Sequence, residues 1–275
     1  MLQKARKEGY AIPAFNAENM EMVQGIIAAA VKCNSPVIIQ TTMPTVKYIS
    51  PELMTAMVKA EAGKTPLSIA LHLDHCDDIS SIKTAIDAGY TSVMFDGSKL
   101  PLSENIDLTK KVINMAGPLG ITVEAELGTI GGKEDNVSSQ IQYTKTEDAV
   151  FFSDKTSVDI LAVAIGTAHG FYKGEPILDF ERLREISDKI GIPLVLHGGS
   201  GVPDEKIKKA ISLGISKVNF ATELRAAATF GVREILADKD IIDPKKYMGK
   251  ARENVTNLCT KKIKLCGSYG KGEIK

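Results

Sequence analysis

LSIALHLDHCDDISSIKTAIDAGYTSVMFDGS, residues 67–98, carries one complete unit of the fold. Its first nine residues are mostly apolar and end on Asp74-His75. Such a run suits a parallel strand that is covered on both faces. Asp78 opens a segment in which Ile79, Ile82 and Ile86 recur at helical spacing, and Gly89 stops it. SVMFDGS (92–98) returns the chain to extended structure. Strand, helix and strand in about thirty residues make a βαβ unit.

The same alternation runs in both directions from this stretch. Apolar runs at YAIPAFNA (10–17), PVIIQTT (36–42), TVEAELG (122–128), ILAVAIGT (160–167), PLVLHGG (193–199) and ISKVNFAT (215–222) bring the strands to eight. Helical patterns lie between them, over Asn105 to Ala116 and from Val202-Pro203-Asp204 to Gly214, for example. Eight strands alternating with helices predict an α/β fold, a (β/α)8 TIM barrel forming a single domain over residues 1–275. A doubly wound open sheet is the alternative. Against it, no Gly-x-Gly-x-x-Gly follows the first strand. Two stretches depart from the regular pattern. GTIGGKEDNVSSQ (128–140) reads as a polar, glycine-rich loop, and Asp238 to Lys275 as polar and partly helical.

The 275 residues are 44% hydrophobic and carry 34 basic and 34 acidic side chains. That balance points to neither nucleic acid nor membrane as partner. The longest apolar runs, such as ILAVAIG, fall well short of the roughly 20 residues of a membrane helix. MLQKARKEGY has no apolar signal core, so a cytoplasmic protein is expected. Cys33, Cys76, Cys259 and Cys266 fit neither a zinc knuckle nor a disulfide framework, and reduced thiols are expected.

Barrel chemistry sits at the C-terminal ends of the strands. Three of the four histidines, His75, His169 and His197, fall at three such ends. Three imidazoles with an open fourth position make a catalytic zinc site. His72 lies deeper in its strand and reads as a buried supporting residue. His197-Gly198-Gly199-Ser200-Gly201 and Asn219-Phe220-Ala221-Thr222 each precede a helix. Loops after the seventh and eighth strands of such barrels cradle phosphate on backbone N–H groups and helix N-termini. A metal beside a phosphate cradle suggests a phosphorylated carbonyl substrate. Glu134 is then a candidate base and Asp74 a candidate acid.

Together, PAFNAENME, SPVIIQ, LHLDHC, SVMFDGS, VEAELGTIGGKED, AVAIGTAHGFYKGEP, PLVLHGGSG and KVNFATEL resemble the class II, metal-dependent ketose-bisphosphate aldolases of fructose or tagatose type. The resemblance covers nearly the whole chain. It implies zinc on His75, His169 and His197, with Asp74 serving the aldehyde oxygen and Glu134 removing the proton from dihydroxyacetone phosphate. Asp96 and Glu126 match the holders of a second metal in some members. Gly170, Gly198, Gly199, Ser200, Asn219, Phe220, Ala221 and Thr222 match the dihydroxyacetone phosphate site. A monovalent cation, Na+ or K+, accompanies that phosphate, and Thr42 matches a hydroxyl toward the other one. The implied reaction is reversible cleavage of a ketose 1,6-bisphosphate through a zinc-stabilised enediolate, by a homodimer or homotetramer. Ala221 resembles tagatose-type sequences, where many fructose-type members carry Asp or Asn. The competing reading, an imine-forming aldolase, needs a lysine at the mouth, for which Lys217 and Lys173 are the candidates. A non-catalytic sugar-phosphate binder on the same fold is the remote alternative.

Overall fold

The eight apolar runs form eight strands: β1 Ile12–Asn16, β2 Val37–Thr41, β3 Ile69–Cys76, β4 Ser92–Phe95, β5 Thr122–Leu127, β6 Ile160–Val163, β7 Leu194–Leu196 and β8 Ile215–Phe220. The computed structural model describes residues 1–134, 137–139, 142–172 and 174–272, with 133, 134 and 137–139 by backbone alone. Each strand pairs in parallel with its neighbours in sequence, and β8 closes the ring on β1 with Ile12 opposite Lys217. The open-sheet alternative is thereby excluded. β1, β2 and β8 are buried along their whole length, as strands walled on both faces must be.

The helices follow the expected signals closely. Asp78 caps Ile79–Ala88 by accepting the backbone N–H groups of Ser80 and Ser81, and Ile82 and Ile86 face inward. The helix expected from Asn105 begins earlier, at Leu102, directly after Pro101. The C-terminal stretch is more ordered than its polarity suggests. Pro244–Leu265 is a 22-residue helix that buries Ala251, Val255, Cys259 and Ile263 at four-residue spacing. It packs on the helix Met20–Cys33, where a side chain at Gly25 would press on Val255. No described helix is long and apolar enough to cross a membrane.

Among its described residues, the stretch at 128–140 holds two short strands rather than a plain loop. Gly131–Glu134 pairs antiparallel with Val137–Ser139 and in parallel with the short strand Ala168–His169. Gly132 sits opposite His169 with φ 89°, and a Cβ there would strike the His169 backbone. The strand that ends in Glu134 is thus fixed to the backbone of a candidate ligand.

Candidate active site

The polar strand ends meet at one mouth. The rings of His75 and His197 lie 4.5 Å apart between centroids, those of His75 and His169 4.9 Å, and those of His169 and His197 6.0 Å. One nitrogen from each falls within 4.8 Å of the others. Burial, reinforced by the neighbouring rings, pushes the pKa of His169 and of His197 down. Both are therefore neutral imidazoles, the form that binds a metal.

Glu124 sets the tautomer of His197. Its Oε1 stands 3.0 Å from His197 Nε2, and its Oε2 3.6 Å from His72 Nε2 and 2.7 Å from Lys217 Nζ. Burial alone would raise the Glu124 pKa. Lys217, the His197 bond and His72 outweigh it and bring the carboxyl down to about 2. An ionised Glu124 makes Nε2 the donor and leaves the Nδ1 lone pair facing the mouth, 3.2 Å from Asn219 Nδ2. The three imidazoles thus offer a donor set that could hold a metal such as zinc. His72 is buried, as expected, with Nδ1 2.8 Å from Ser92 Oγ.

In a regular strand Asp74 and His75 would face opposite ways. The register of β3 on β4 shifts between Leu73 and Cys76, and His75 takes a left-handed backbone with φ 46°. That conformation costs a non-glycine residue about 1–2 kcal/mol. Both side chains consequently reach the mouth. Asp74 is buried, accepting from Gln40 Nε2 at 2.8 Å and from Asn219 Nδ2 at 3.4 Å. Burial would raise its pKa, but His75, His72, His197 and Lys217 together hold it well below the ordinary carboxylate range.

Asp96 and Glu126 flank His75, with carboxylate oxygens 3.0 and 3.7 Å from its Nδ1. They titrate in opposite directions. Burial opposes ionisation of Asp96, but His75 and Ser98 overcome it and lower its pKa. Burial and then Asp96 drive the pKa of Glu126 well above the usual range. Glu126 Oε2 is buried with no hydrogen-bond partner among the described residues. His75, Asp96 and Glu126 form a further group of donors close enough to hold a cation, as do His72, Asp74 and Glu124.

The pocket beside the histidines is lined by Asn16, Asp74, His169, Gly170, Gly198, Ser200, Asn219, Ala221, Thr222 and Arg225. Ser200 Oγ accepts the backbone N–H groups of Ala221 and Glu223 at 3.2 and 3.4 Å, which ties the two expected phosphate loops together. Gly199 N–H donates to the Asn219 carbonyl at 3.0 Å. Three expected residues, Gly199, Phe220 and Thr42, are not among those that line the pocket. Phe220 turns its ring into the core against Phe15, and Thr42 is buried at the start of the helix Met43–Ile49. Glu134 ends its strand, but its side chain and Lys173 lie outside the described residues.

Sequence reasoning passed over Asn16, Gln40, Glu124 and Arg225 as site residues. Gln40 Nε2 bridges Asp74 to Asn16 Oδ1 at 2.8 Å, and Arg225 pairs with Glu18 at the pocket edge. Gln40 was visible as the one amide in an otherwise aliphatic run, and Glu124 as the strand neighbour two before Glu126. Lys217, the imine candidate, is fully buried, its Nζ 2.7 Å from Glu124 Oε2, and is absent from the lining of the pocket beside the histidines. Cys76 turns away from the mouth. Its thiol donates to the Asp78 carbonyl, and burial pushes its pKa to about 11.

The chain resembles known proteins over nearly its full length. A sulfofructosephosphate aldolase of Alkalicoccus urumqiensis is 44% identical over 279 residues, covering 98% of this chain and 96% of that one. The crystal structure of the YdjI aldolase of Escherichia coli K12 superposes with a TM-score of 0.89 at 40% identity, covering 99% and 97% of the two chains. The fructose-bisphosphate aldolase of Campylobacter jejuni superposes with a TM-score of 0.81 at 26% identity, covering 98% and 94%. The family pattern of class-II fructose-bisphosphate aldolases matches residues 1–271. With the closed barrel and the histidine-lined mouth, these matches place the chain in the class-II fructose-bisphosphate aldolase family, whose members are lyases of carbon–carbon bonds.

Proposed function

We propose that the protein reversibly cleaves a ketose 1,6-bisphosphate, tagatose 1,6-bisphosphate before fructose 1,6-bisphosphate, to dihydroxyacetone phosphate and glyceraldehyde 3-phosphate. The observation that carries this reading is the meeting of His75, His169 and His197 with Asp74 beside the Gly198–Ser200 cradle. Zinc held by the three histidines supplies a Lewis acid for the substrate carbonyl and for the negative charge that develops there. The loop Gly198 to Ser200 and the helix start at Thr222 hold the phosphate of the dihydroxyacetone half. Asn16 Nδ2 and Asn219 Oδ1, buried without partners among the described residues, offer one donor and one acceptor to sugar hydroxyls.

In cleavage, the bond between C3 and C4 breaks and its electron pair stays with C3. Asp74, held ionised, takes the proton of the C4 hydroxyl as that carbon becomes an aldehyde. Glu134 delivers a proton to C3. Condensation reverses each transfer. Ala221 lines the pocket and presents only a methyl group where a polar side chain would reach the substrate, which supports the tagatose preference. The Alkalicoccus urumqiensis relative favours a second reading, in which the substrate is a sulfofructose phosphate.

This reading includes a monovalent cation beside the bound phosphate, a second cation on His75, Asp96 and Glu126, and self-association as a dimer or tetramer. The test is a coupled assay of all three ketose phosphates, before and after chelation and after zinc is restored. Cleavage of tagatose 1,6-bisphosphate should be the fastest and should follow zinc. Faster cleavage of the sulfonated sugar would move the assignment to the second reading. Chelator-insensitive cleavage would refute the metal role.

Glu134→Ala should slow exchange of solvent hydrogen into dihydroxyacetone phosphate by about 10²–10⁴-fold, the usual worth of a general base, with metal content unchanged. Parallel loss of metal would show Glu134 to be structural instead.

A further inference from the structure

One side chain near the mouth is not used by the mechanism, yet it touches the backbone beside two of the three histidines. Tyr172 lies three residues after His169. Its hydroxyl accepts the Ala168 N–H at 2.8 Å and donates to the Gly198 carbonyl at 2.9 Å. Ala168 directly precedes His169, and Gly198 directly follows His197. A single oxygen therefore joins the peptide before one histidine to the peptide after another, across the ends of β6 and β7. The two segments approach closely there. Gly198 has φ 64°, and a Cβ on it would lie 2.5 Å from the Ala168 carbonyl oxygen. The ring fills the space beside Gly201, where a Cβ would come within 3.3 Å. Burial raises the phenol to about pKa 12, so the hydroxyl keeps its proton in ordinary buffers.

We propose that Tyr172 is a positioning residue whose hydroxyl sets the spacing of His169 from His197 and places the Gly198–Ser200 phosphate loop against them. The proposal rests on the reading of these histidines as zinc ligands and of the loop as a phosphate cradle. Its consequence is specific. Metal affinity and phosphate-ligand affinity depend on the same oxygen, although Tyr172 touches neither ligand.

Tyr172→Phe removes that oxygen and keeps the ring. Cobalt(II) affinity, read by competition with a chromophoric chelator, should fall about ten-fold, the lower end of the usual effect of losing a supporting partner of a metal ligand. The visible spectrum of the cobalt protein should shift, since the imidazoles no longer hold the same angles. Affinity of the zinc-loaded variant for dihydroxyacetone phosphate, measured by calorimetry, should fall in step. A lower Tm with all three readouts unchanged would overturn the proposal and leave the hydroxyl a plain cross-link. If the parent protein itself takes up no cobalt, the zinc reading fails, and the proposal fails with it for that separate reason. If Tyr172→Phe does not fold, the same affinities are read on protein carrying 3,5-difluorotyrosine at position 172. Its more acidic hydroxyl should lose affinity as pH rises and the proton facing Gly198 is lost, and an affinity that tracks the parent at every pH would overturn the proposal.

Discussion

His197→Ala should abolish cleavage and metal binding while the barrel stays folded. His197 is fully buried and held at both ring nitrogens, by Glu124 at 3.0 Å and Asn219 at 3.2 Å. Truncation removes one of three ligands and leaves a cavity. It leaves no unpaired charge, because Lys217 still holds Glu124 at 2.7 Å. The cost to the fold is therefore a cavity cost of about 2–4 kcal/mol. The cost to catalysis is larger. Lewis-acid stabilisation of the developing charge contributes several kcal/mol, and each 1.4 kcal/mol is a factor of ten, so cleavage should fall at least about 10³-fold. Steady-state assays, metal analysis and circular dichroism on the same preparation separate the two effects. A variant that keeps its zinc and cleaves within ten-fold of the parent would remove His197 from the ligand set.

The second large effect is expected at Lys217. Lys217→Met leaves Glu124 buried without its cation, and breaking a buried pair from one side costs about 3–5 kcal/mol. Metal affinity should fall about 10–100-fold as well, since Glu124 orients His197. The pH dependence should change sign. In the parent, Glu124 is lowered from 4.5 to about 2. Its stabilising contribution is thus present above about pH 4.5 and is lost as pH falls through 2. In the variant, burial is less opposed, and the Glu124 pKa rises above its unfolded value. The contribution is then present at low pH and lost as pH rises. Urea unfolding of both proteins at pH 5 and pH 8 tests this. A variant no less stable at pH 8 than at pH 5, relative to the parent, would show that other groups neutralise Glu124.

The barrel was legible because its strands are apolar and its helices carry ordinary capping signals. The three histidines were legible because they are rare and all fall at strand ends. What escaped the sequence lies inside the strands. Gln40, Glu124 and Lys217 read there as interruptions of apolar runs. Their roles appear only when closure of the ring brings Lys217 to Glu124 across 93 positions of chain. Strand-end position alone does not say where the side chains of Phe220 and Thr42 go. The ring of Phe220 packs beside that of Phe15, and Thr42 stands just before the helix Met43–Ile49. The short strand at 131–134 was hidden for a different reason. Its glycines have little intrinsic strand preference, and the pairing is imposed by the His169 backbone.

The kink at His75 bears on how such a site could be moved. Transplanting it into another eight-stranded barrel by copying Asp74 and His75 onto a straight strand would send one of them into the wall. The portable unit is the bent segment Leu73 to Cys76 together with the neighbouring strand whose register it breaks. A graft that reproduces the curvature first, and chooses side chains second, is the one that would recover both groups at one mouth.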